Sequence, residues 1–340
     1  MHQFDHNQLA AYLAQHVRGF STLDTITKFT DGQSNPTYKI SSGKNTFVLR
    51  AKPLGKILKS AHAVDREYRV MQALADTDVP VPKLYHLSPD ETPLGSQFMV
   101  MQWVDGQIFW DPGLPDAGNS LRRAVYDQMN KVLAALHNVA PASVGLEDFG
   151  KPGNYFARQL TRWSAQFKAT ETDALPDADW LIGWLAERMV EDDGAISIVH
   201  GDFRIDNMIF AHGSDTLLAL LDWELSTLGH PFADLAYQCM QWRLPYKGDF
   251  RGLRGLDRAS LGLPEEEAYV ASYCDRRGIT TPADWPFYVV FSYFRLLAIL
   301  QGVLKRALDG NASNPRNQDM LRDLIALLAR DARALAVQSA

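Results

Sequence analysis

The chain has 340 residues, of which 46% are hydrophobic and 22% charged, and its net charge at pH 7 is −6. These values are typical of a globular protein that is too long for one ordinary core, so we expect two lobes or domains. A chain with a net negative charge is a poor candidate for wrapping nucleic acid, which requires a dominant basic surface.

The cysteine content and the apolar stretches also indicate the cellular compartment. The two cysteines, Cys239 and Cys274, are too few for a disulfide framework and form no C-x-x-C pair, which favours a reducing environment. The N-terminus MHQFDHNQLA lacks the basic and apolar regions of a secretory signal. The longest apolar stretch, Phe287 to Leu300, is interrupted by Ser292 and Arg295 and is too short to span a bilayer. We therefore expect a cytoplasmic protein with no membrane partner.

The first elements in chain order are a helix over residues 6–18 and two strands, Thr25 to Phe29 and Thr37 to Ser41. The turn between the strands is rich in Gly, Ser and Asn, and such a turn can place backbone N–H groups over phosphates. The candidate phosphate-binding residues of this turn are Gly32, Gln33, Ser34 and Asn35. An ordinary hairpin turn is the alternative.

The next strand, Thr46 to Arg50, carries two cations at its end, Arg50 and Lys52. Positions two apart in a strand face the same side, so both side chains can point toward one ligand. A helix is predicted over residues 61–75, and Glu67 on it is a natural partner for a strand cation. Solvated strand cations and an exposed ion pair on the helix are the alternatives.

An apolar strand, Gln97 to Val104, runs into Asp105, and we place a lobe boundary between residues 1–104 and 105–340. Apolar residues at helical spacing recur through most of the second part. The predicted helices cover residues 120–139, 154–169, 177–191, 234–242, 265–278, 284–308 and 315–337.

The most informative stretch lies between Ile196 and Glu224. A short β-rich run delivers His200-Gly201-Asp202 onto a loop, Asn207 follows five positions after Asp202, and the strand Leu217 to Leu221 ends on Asp222. Polar side chains at strand ends converge. Phosphoryl transfer requires such a set, in which one carboxylate accepts the proton of the attacking hydroxyl while an Asn and a second Asp hold Mg²⁺ on ATP. Each residue alone would be read as a cap or a core residue, but the ordered set favours catalysis.

The order H-G-D-x4-N, an apolar strand and D resembles the catalytic loop and metal-binding Asp of protein kinases. With Gly201 in place of the kinase Arg, and Asp222-Trp223-Glu224 in place of D-F-G, the chain is more similar to the aminoglycoside phosphotransferase and choline kinase-like family. The run SAHAVDREYRVMQAL also resembles the phosphotransferase domain that some eukaryotic proteins carry fused to an acyl-CoA dehydrogenase.

The resemblance implies an α/β (α+β), protein kinase-like fold with an antiparallel-sheet N-terminal lobe and a mainly helical C-terminal lobe. It implies ATP and Mg²⁺ as cofactors, Asp202 as catalytic base, and Asn207 and Asp222 as metal ligands. An Asp at the position of Asp234 bonds back to the catalytic loop in such folds. Further residues are expected to shape the loop or assist the metal: His200, Arg204, Asp206 and Glu224.

The resemblance also assigns the nucleotide site. Arg50 is in register with the kinase lysine that contacts the α- and β-phosphates. Lys52 is expected to assist it, and Glu67 is expected to form an ion pair with the strand cation. Which of the two cations contacts phosphate stays open. The hinge residues that would offer backbone groups to adenine are Met101, Gln102 and Trp103.

The predicted function is phosphorylation of a hydroxyl on a small molecule. About eleven residues separate Asp222 from Asp234, which leaves no room for the segment that seats a peptide in protein kinases. Two alternatives stay open: a nucleotide-binding pseudokinase, because the glycine-rich turn is sparse, and an aminoglycoside- or choline-type kinase. The oligomeric state and the choice between ATP and GTP are also open.

Residues 243–258 favour an anionic acceptor, because they contain five cations and only two acids, Asp249 and Asp257. The cations are Arg243, Lys247, Arg251, Arg254 and Arg258. The chain end has no acidic cluster of the kind that a polycationic aminoglycoside would need. We therefore favour a hydroxy acid or its coenzyme A thioester, mainly on the resemblance to the dehydrogenase-fused domain. A solvated basic face is the alternative.

Overall fold

The computed structural model of the chain describes residues 5–29, 35–53, 63–89, 93–248, 251–310 and 317–339. The strands are β1 (Thr25–Lys28), β2 (Thr37–Ser42), β3 (Asn45–Ala51), β4 (Leu84–Leu87), β5 (Phe98–Gln102), β6 (Ser197–Val199), β7 (Met208–Phe210), β8 (Leu217–Leu220) and β9 (Thr227–Gly229). The helices are α1 (His6–His16), α2 (Val64–Leu74), α3 (Asn119–Asn138), α4 (Tyr155–Thr170), α5 (Pro176–Glu187), α6 (Phe232–Trp242), α7 (Arg258–Leu261), α8 (Glu266–Arg277), α9 (Trp285–Leu308) and α10 (Gln318–Gln338). Three short 3₁₀ turns cover Pro141–Val144, Ile205–Asn207 and Trp223–Leu225 in the same described ranges.

The chain divides into two compact units. The first consists of Met1–Trp110, Ala142–Leu146 and Ile205–Ser226, and the second of Asp111–Pro141, Glu147–Arg204 and Thr227–Ala340. The strand β6 and the loop after it therefore belong to the second unit, whereas the β7–β8 hairpin belongs to the first. The lobe boundary at Val104 and Asp105 stays a prediction.

The first unit is built around an antiparallel five-stranded sheet with the strand order β1-β2-β3-β5-β4. The helix α1 begins at an Asp5 cap, whose carboxylate accepts from the N–H groups of Asn7 and Gln8, and buries Leu9 and Leu13 in the core cluster of the sheet. The helix α2 packs against β4 and β5. The expected antiparallel-sheet N-terminal region is confirmed.

The second unit is mainly helical, as expected. Its central helix α9 packs against α4, α6 and α10 and has buried residues on every side. The strands β6 and β9 form a short antiparallel ribbon in this unit, with Ile198 opposite Leu228. The ribbon fixes the start of the loop that carries His200.

The apolar stretch that was expected to be too short for a bilayer forms the longer helix α9. Its 24 residues would suffice for a membrane span by length and composition alone, but 89% of its most apolar window is buried inside the structure. That burial is typical of a helix at the centre of a protein core. Arg295, which interrupts the stretch, is itself buried.

Candidate functional site

The β7–β8 hairpin places Asn207 and Asp222 at the same end of two paired strands. Asn207 directly precedes β7, and its carbonyl accepts from the N–H of Leu221 at 2.8 Å. Asp222 is the next residue, and its backbone is left-handed, with φ 65°. That conformation is uncommon for residues other than glycine and occurs frequently at functional sites. The two predicted metal ligands are therefore neighbours in the first unit.

Arg50, on β3, connects this hairpin to α2 through ion pairs. Its Nε lies 3.0 Å from Glu67 Oε2, and its Nη2 donates to Asp222 Oδ1 at 2.7 Å. The same Nη2 lies 3.8 Å from Glu224 Oε2. Asn35 adds a hydrogen bond from its side-chain amide to Glu67 Oε1 at 2.8 Å. Residues from four separate segments thus form one cluster around Arg50 and Glu67.

Burial and charge oppose each other in this cluster. The side chain of Glu67 is only 2% exposed, and burial raises its pKa to about 7 although Arg50 and Asn35 favour the carboxylate. Burial also works against the charge of Arg50, but its three carboxylate neighbours outweigh burial and raise its pKa. The guanidinium therefore stays charged, and it stabilises a carboxylate that burial would otherwise neutralise.

Lys52 lies one residue beyond β3, where its backbone is fixed. Its N–H donates to the carbonyl of Gln97 at 2.8 Å, and its carbonyl accepts from Ser96 Oγ at 2.9 Å. The strand cation that pairs with Glu67 is Arg50. The assignment of either cation to a phosphate stays a prediction.

The donors around Asp222 fit a hard divalent cation. Asn207, Asp222 and Glu224 offer amide and carboxylate oxygens, which are the ligands that Mg²⁺ takes in proteins. The Asp222 side chain is 31% exposed and can be reached from solvent. Within the described ranges, no group of three or more His, Cys, Asp and Glu side chains could hold a metal alone. Mg²⁺ is usually held by one or two carboxylates together with substrate phosphates and water.

The strand β5 ends at the expected hinge. Met101 is buried within the sheet, and the N–H of Gln102 donates to the carbonyl of Lys83. The Trp103 ring stacks on Phe29 with centroids 6.2 Å apart, and Lys39 Nζ lies 4.0 Å from its centroid. The N–H of Gln102 is therefore already engaged, and the adenine contacts of these residues stay a prediction.

The predicted phosphate-binding turn is described in part. Gly32, Gln33 and Ser34 lie outside the described residues. Asn35 is described and is buried against Glu67. Its amide group supports the ion-pair cluster.

In the second unit, Asp234 at the start of α6 holds the loop that carries Asp202. Its Oδ2 accepts from the N–H of His200 at 2.6 Å and its Oδ1 from the N–H of Gly201 at 2.8 Å. His137 Nε2 lies 3.2 Å from the same carboxylate. Burial opposes the charge, yet His137 and these N–H groups keep the pKa of Asp234 low. The prediction that Asp234 bonds back to this loop is confirmed.

The same loop has a further contact that the sequence did not reveal. Gly201 has φ 86°, a conformation that favours glycine, and its carbonyl accepts from buried Arg295 of α9. Burial and the nearby charge of Asp202 raise the pKa of Tyr237, on α6. The available signal was Arg295 itself, because an arginine inside an apolar helix is rarely buried without a partner.

The basic segment 243–258 is largely neutralised by acids from elsewhere in the chain, which corrects the charge balance expected from its own composition. The four arginine pairs are Arg243–Glu266, Arg251–Asp111, Arg254–Asp331 and Arg258–Glu265. A cavity of about 380 Å³ is lined by Arg243, Arg254 and Arg258 together with Asp331 and Tyr293. Three cations and one carboxylate line this cavity, and each of the three cations also pairs with a carboxylate.

Comparison with known proteins agrees with the motifs. The model of the phosphotransferase enzyme family matches residues 25–269. Mouse acyl-CoA dehydrogenase family member 10 is 45% identical over 309 residues, which are 90% of this chain but only 29% of that protein. The chain thus spans less than a third of this relative's length. The resemblance to a dehydrogenase-fused domain is confirmed.

Solved structures give the same result. A candidate aminoglycoside phosphotransferase from Ralstonia eutropha JMP134 is 45% identical, with a TM-score of 0.89 and 99% of both chains covered. Spectinomycin phosphotransferase, crystallised with ADP and spectinomycin, is 12% identical, with a TM-score of 0.63 and 98% of both chains covered. At that identity the likeness shows the fold alone. The protein kinase-like fold that the motifs imply is confirmed.

Proposed function

We propose that this chain, which belongs to the phosphotransferase enzyme family, transfers the γ-phosphoryl group of ATP to a hydroxyl of a small molecule. The observation that carries the proposal is the cluster in which Arg50 bonds Glu67 and Asp222 while Asn207 adjoins Asp222. A strand cation with a buried acidic partner, next to two oxygen ligands, is the set that positions nucleotide phosphates in kinases. The structure of spectinomycin phosphotransferase with ADP supports nucleotide as the donor.

The roles follow from the chemistry of each residue. Asp202 accepts the proton of the acceptor hydroxyl as the new O–P bond forms and the bond to ADP breaks. Arg50 binds phosphate oxygens through its planar donor fork, with Lys52 assisting. Asn207 and Asp222 hold Mg²⁺, which when bound neutralises charge on the phosphates. Asp202 and Asn207 are five residues apart in the chain, which suits groups that act on one phosphoryl transfer.

The adenine is proposed to lie against the end of β5, where Met101, Gln102 and Trp103 offer backbone groups. The turn with Gly32, Gln33 and Ser34 is proposed to cover the phosphates. A base stacked near Trp103 would lie beside an aromatic pair already present, Phe29 and Trp103.

We propose a hydroxy acid or hydroxyacyl-coenzyme A as the acceptor. Two observations support an anionic acceptor. The mouse relative, which contains a similar segment, is named as an acyl-CoA dehydrogenase family member. The cavity lined by Arg243, Arg254 and Arg258 has a size suited to a small-molecule ligand and offers guanidinium donors for carboxylate or phosphate.

The direct test measures ADP release in Mg²⁺ and ATP against a panel of hydroxy acids, hydroxyacyl-coenzyme A thioesters and aminoglycosides. Acceptor-dependent ADP release with a phosphorylated product by mass spectrometry is expected for the anionic compounds. Efficient turnover of kanamycin-type cations, without turnover of any hydroxyacyl compound, would contradict the acceptor class. Nucleotide binding without any acceptor-dependent ADP release would favour a pseudokinase.

The metal assignment has its own test. Asp222→Ala should weaken the binding of MgATP measured by calorimetry, because a hard cation loses an oxygen ligand. Binding of ATP without Mg²⁺ should change much less. Equal MgATP affinity in the variant and the parent protein would remove Asp222 from this role.

A further inference from the structure

Arg295 is a charged residue in the middle of the apolar helix α9. It is only 6% exposed, and burying a charge is costly unless the charge is paired or hydrogen-bonded. Its guanidinium donates to the carbonyl of Gly201. The guanidinium carbon also lies 5.2 Å from the centroid of the Tyr237 ring and 5.9 Å from that of the Trp163 ring. A buried cation thus contacts the backbone directly before Asp202.

The two rings set the direction of this guanidinium. Tyr237 lies on α6 and Trp163 on α4, and both helices pack against α9. Both rings are buried, and a guanidinium within about 6 Å of an aromatic centroid is attracted by the ring. Packing from two further helices therefore holds the donor of Arg295 on the carbonyl of Gly201.

The carbonyl of Gly201 belongs to the peptide unit that leads into Asp202. The N–H of the same unit is that of Asp202, and it donates to His200 Nδ1 at 3.2 Å. A peptide unit is planar, so hydrogen bonds to its carbonyl and from its N–H together fix its orientation. That orientation determines the direction of the backbone at the Asp202 Cα, and hence where the Asp202 side chain starts.

Gly201 places little steric restraint on this peptide unit. Its φ is 86°, and glycine adopts positive and negative φ about equally readily because it has no Cβ. Asp234 accepts from the N–H groups of His200 and Gly201, which belong to the two preceding peptide units. The bond from Arg295 is therefore what restrains the carbonyl side of the unit before Asp202.

Building on the proposed function, we propose that Arg295 is a positioning residue that fixes the peptide unit before Asp202 and so orients the Asp202 carboxylate toward the acceptor hydroxyl. In the reaction, the proton of the acceptor hydroxyl moves to Asp202 while the O–P bond to the acceptor forms and the bond to ADP breaks. Arg295 keeps its hydrogen bond and its protons throughout, because a guanidinium stays charged in proteins. Displacing a catalytic group by about 1 Å can cost on the order of 100-fold in rate, so rotation of this unit would impair turnover.

The first experiment compares Arg295→Met with a matched control, Arg122→Met. Arg122 is also a buried helix residue, and it donates to the backbone carbonyls of Gly113 and Leu114. Arg295→Met should lower kcat on the order of 10- to 100-fold, the range for losing a hydrogen bond to a charged group, with the KM for ATP nearly unchanged. Arg122→Met should lose melting temperature but keep kcat. Equal kcat values for both variants would overturn the proposal.

Arg295→Lys keeps the test decisive if Arg295→Met does not fold. Lysine retains the charge, but its ammonium ends one bond short of the arginine Nη2 and lacks the planar fork. The hydrogen bond to the Gly201 carbonyl should therefore weaken, and kcat should fall at an unchanged KM for ATP. If only Arg295→Lys folds and its kcat equals that of the parent protein, the proposal is rejected.

A kinetic cycle with Asp202→Asn separates positioning from a general structural role. If Arg295 acts through the Asp202 carboxylate, Arg295→Met should lower the residual turnover of Asp202→Asn much less than it lowers that of the parent protein. The same fold loss in both backgrounds would show that Arg295 acts elsewhere, and the proposal would fail.

Hydrogen exchange gives a measurement that needs no turnover. A peptide containing His200, Gly201 and Asp202 should exchange faster in Arg295→Met than in the parent protein or in Arg122→Met, because the loop opens more easily. If Asp202→Asn abolishes turnover while Arg295→Met leaves kcat unchanged, the inference fails and the proposed function stands. If the parent protein shows no acceptor-dependent ADP release although exchange changes as expected, the proposed function fails, and Arg295 is left as a structural support of the loop.

Discussion

The ion-pair cluster of the first unit and the Asp202 loop of the second unit are held by different kinds of bond. In the cluster, charged side chains hold one another: Arg50 lies between Glu67 and Asp222. In the loop, buried side chains hold the backbone: Asp234 accepts from its N–H groups, and Arg295 donates to its carbonyl.

This difference indicates which groups can exchange their bonding partners when a ligand binds and which cannot. Arg50 can give up the carboxylate of Asp222 for a phosphate, because both are anions with similar oxygen geometry. The backbone groups of the loop have no such substitute, since an unpaired buried N–H or carbonyl is costly. We expect nucleotide binding to rearrange the cluster while the loop keeps its shape.

The largest expected effect lies in the loop. Asp202→Asn keeps the size of the side chain but removes its basicity, so turnover should fall on the order of 10²- to 10⁴-fold, the usual contribution of a positioned base. Nucleotide affinity should stay nearly intact, because the proposed phosphate and metal ligands are other residues. Steady-state kinetics with calorimetry of ATP binding tests both parts. Turnover within about twofold of the parent protein would remove Asp202 from its role.

The next effect compares the two strand cations. Arg50→Ala should cost about 3–5 kcal/mol of the free energy of unfolding, since it leaves Glu67 buried without its cation, and should raise the KM for ATP. Lys52→Ala is the comparison variant. It should change the free energy of unfolding little, because Arg50 is the cation that pairs with Glu67. As the assisting cation, Lys52 should also raise the KM for ATP less when it is removed than Arg50 does. Urea unfolding of both variants checks the stability.

The pH dependence of Arg50→Ala gives a sharper result. The pKa of Glu67 is already raised to about 7 by burial, and removing Arg50 raises it further. In the variant, Glu67 can be protonated and neutral at pH 5. At pH 8 its carboxylate must either stay charged in the interior or become exposed by local unfolding. The loss of stability should therefore be smaller at pH 5 than at pH 8. Equal losses at both values would show that Glu67 is not the group left unpaired.

A smaller effect is expected for Asp234→Asn. The amide has one acceptor oxygen in place of two, and its NH₂ group faces one of the backbone N–H donors. The free energy of unfolding should therefore fall by about 2–3 kcal/mol. Asp193→Asn is a matched control, because Asp193 also pairs with a histidine, His230, but its side chain is 60% exposed. Its change should stay within about 0.5 kcal/mol. If both variants had equal stability, the loop would not depend on Asp234.

The sequence predicted what local pattern and motif spacing determine. Arg50 on its strand and Glu67 on its helix follow from local pattern, and both are present in the structure. The bond from Asp234 to the loop was implied by the family resemblance, and it is also present. The contact of Arg295 with the loop could not be predicted in this way, because it depends on how α9 packs around a residue 94 positions earlier.

The charge of the basic segment was misjudged for the same reason. Counted within residues 243–258, the arginines exceed the acids, but all four partners lie outside this segment, and two of them lie far away along the chain. Asp111 is 140 residues from Arg251, and Asp331 is 77 residues from Arg254. Composition within a window cannot detect such pairs. The turn with Gly32 lies outside the described residues, so its prediction stays open.

The smallest expected effect distinguishes two of these arginines. Within the part of the chain that the structure describes, the cavity lining includes Arg254 and not Arg251. Arg251 pairs with Asp111, and its side chain is 52% exposed. Each alanine substitution should cost less than about 1 kcal/mol of stability, as is usual for exposed ion pairs.

If the cavity binds the anionic part of the acceptor, Arg254→Ala should raise the acceptor KM about fivefold and spare the KM for ATP, whereas Arg251→Ala should change neither. Added salt should weaken acceptor binding in the parent protein more than in Arg254→Ala, because the variant has already lost part of the attraction that salt screens. Equal acceptor KM values for both variants and the parent protein would leave the segment as a solvated, internally neutralised surface.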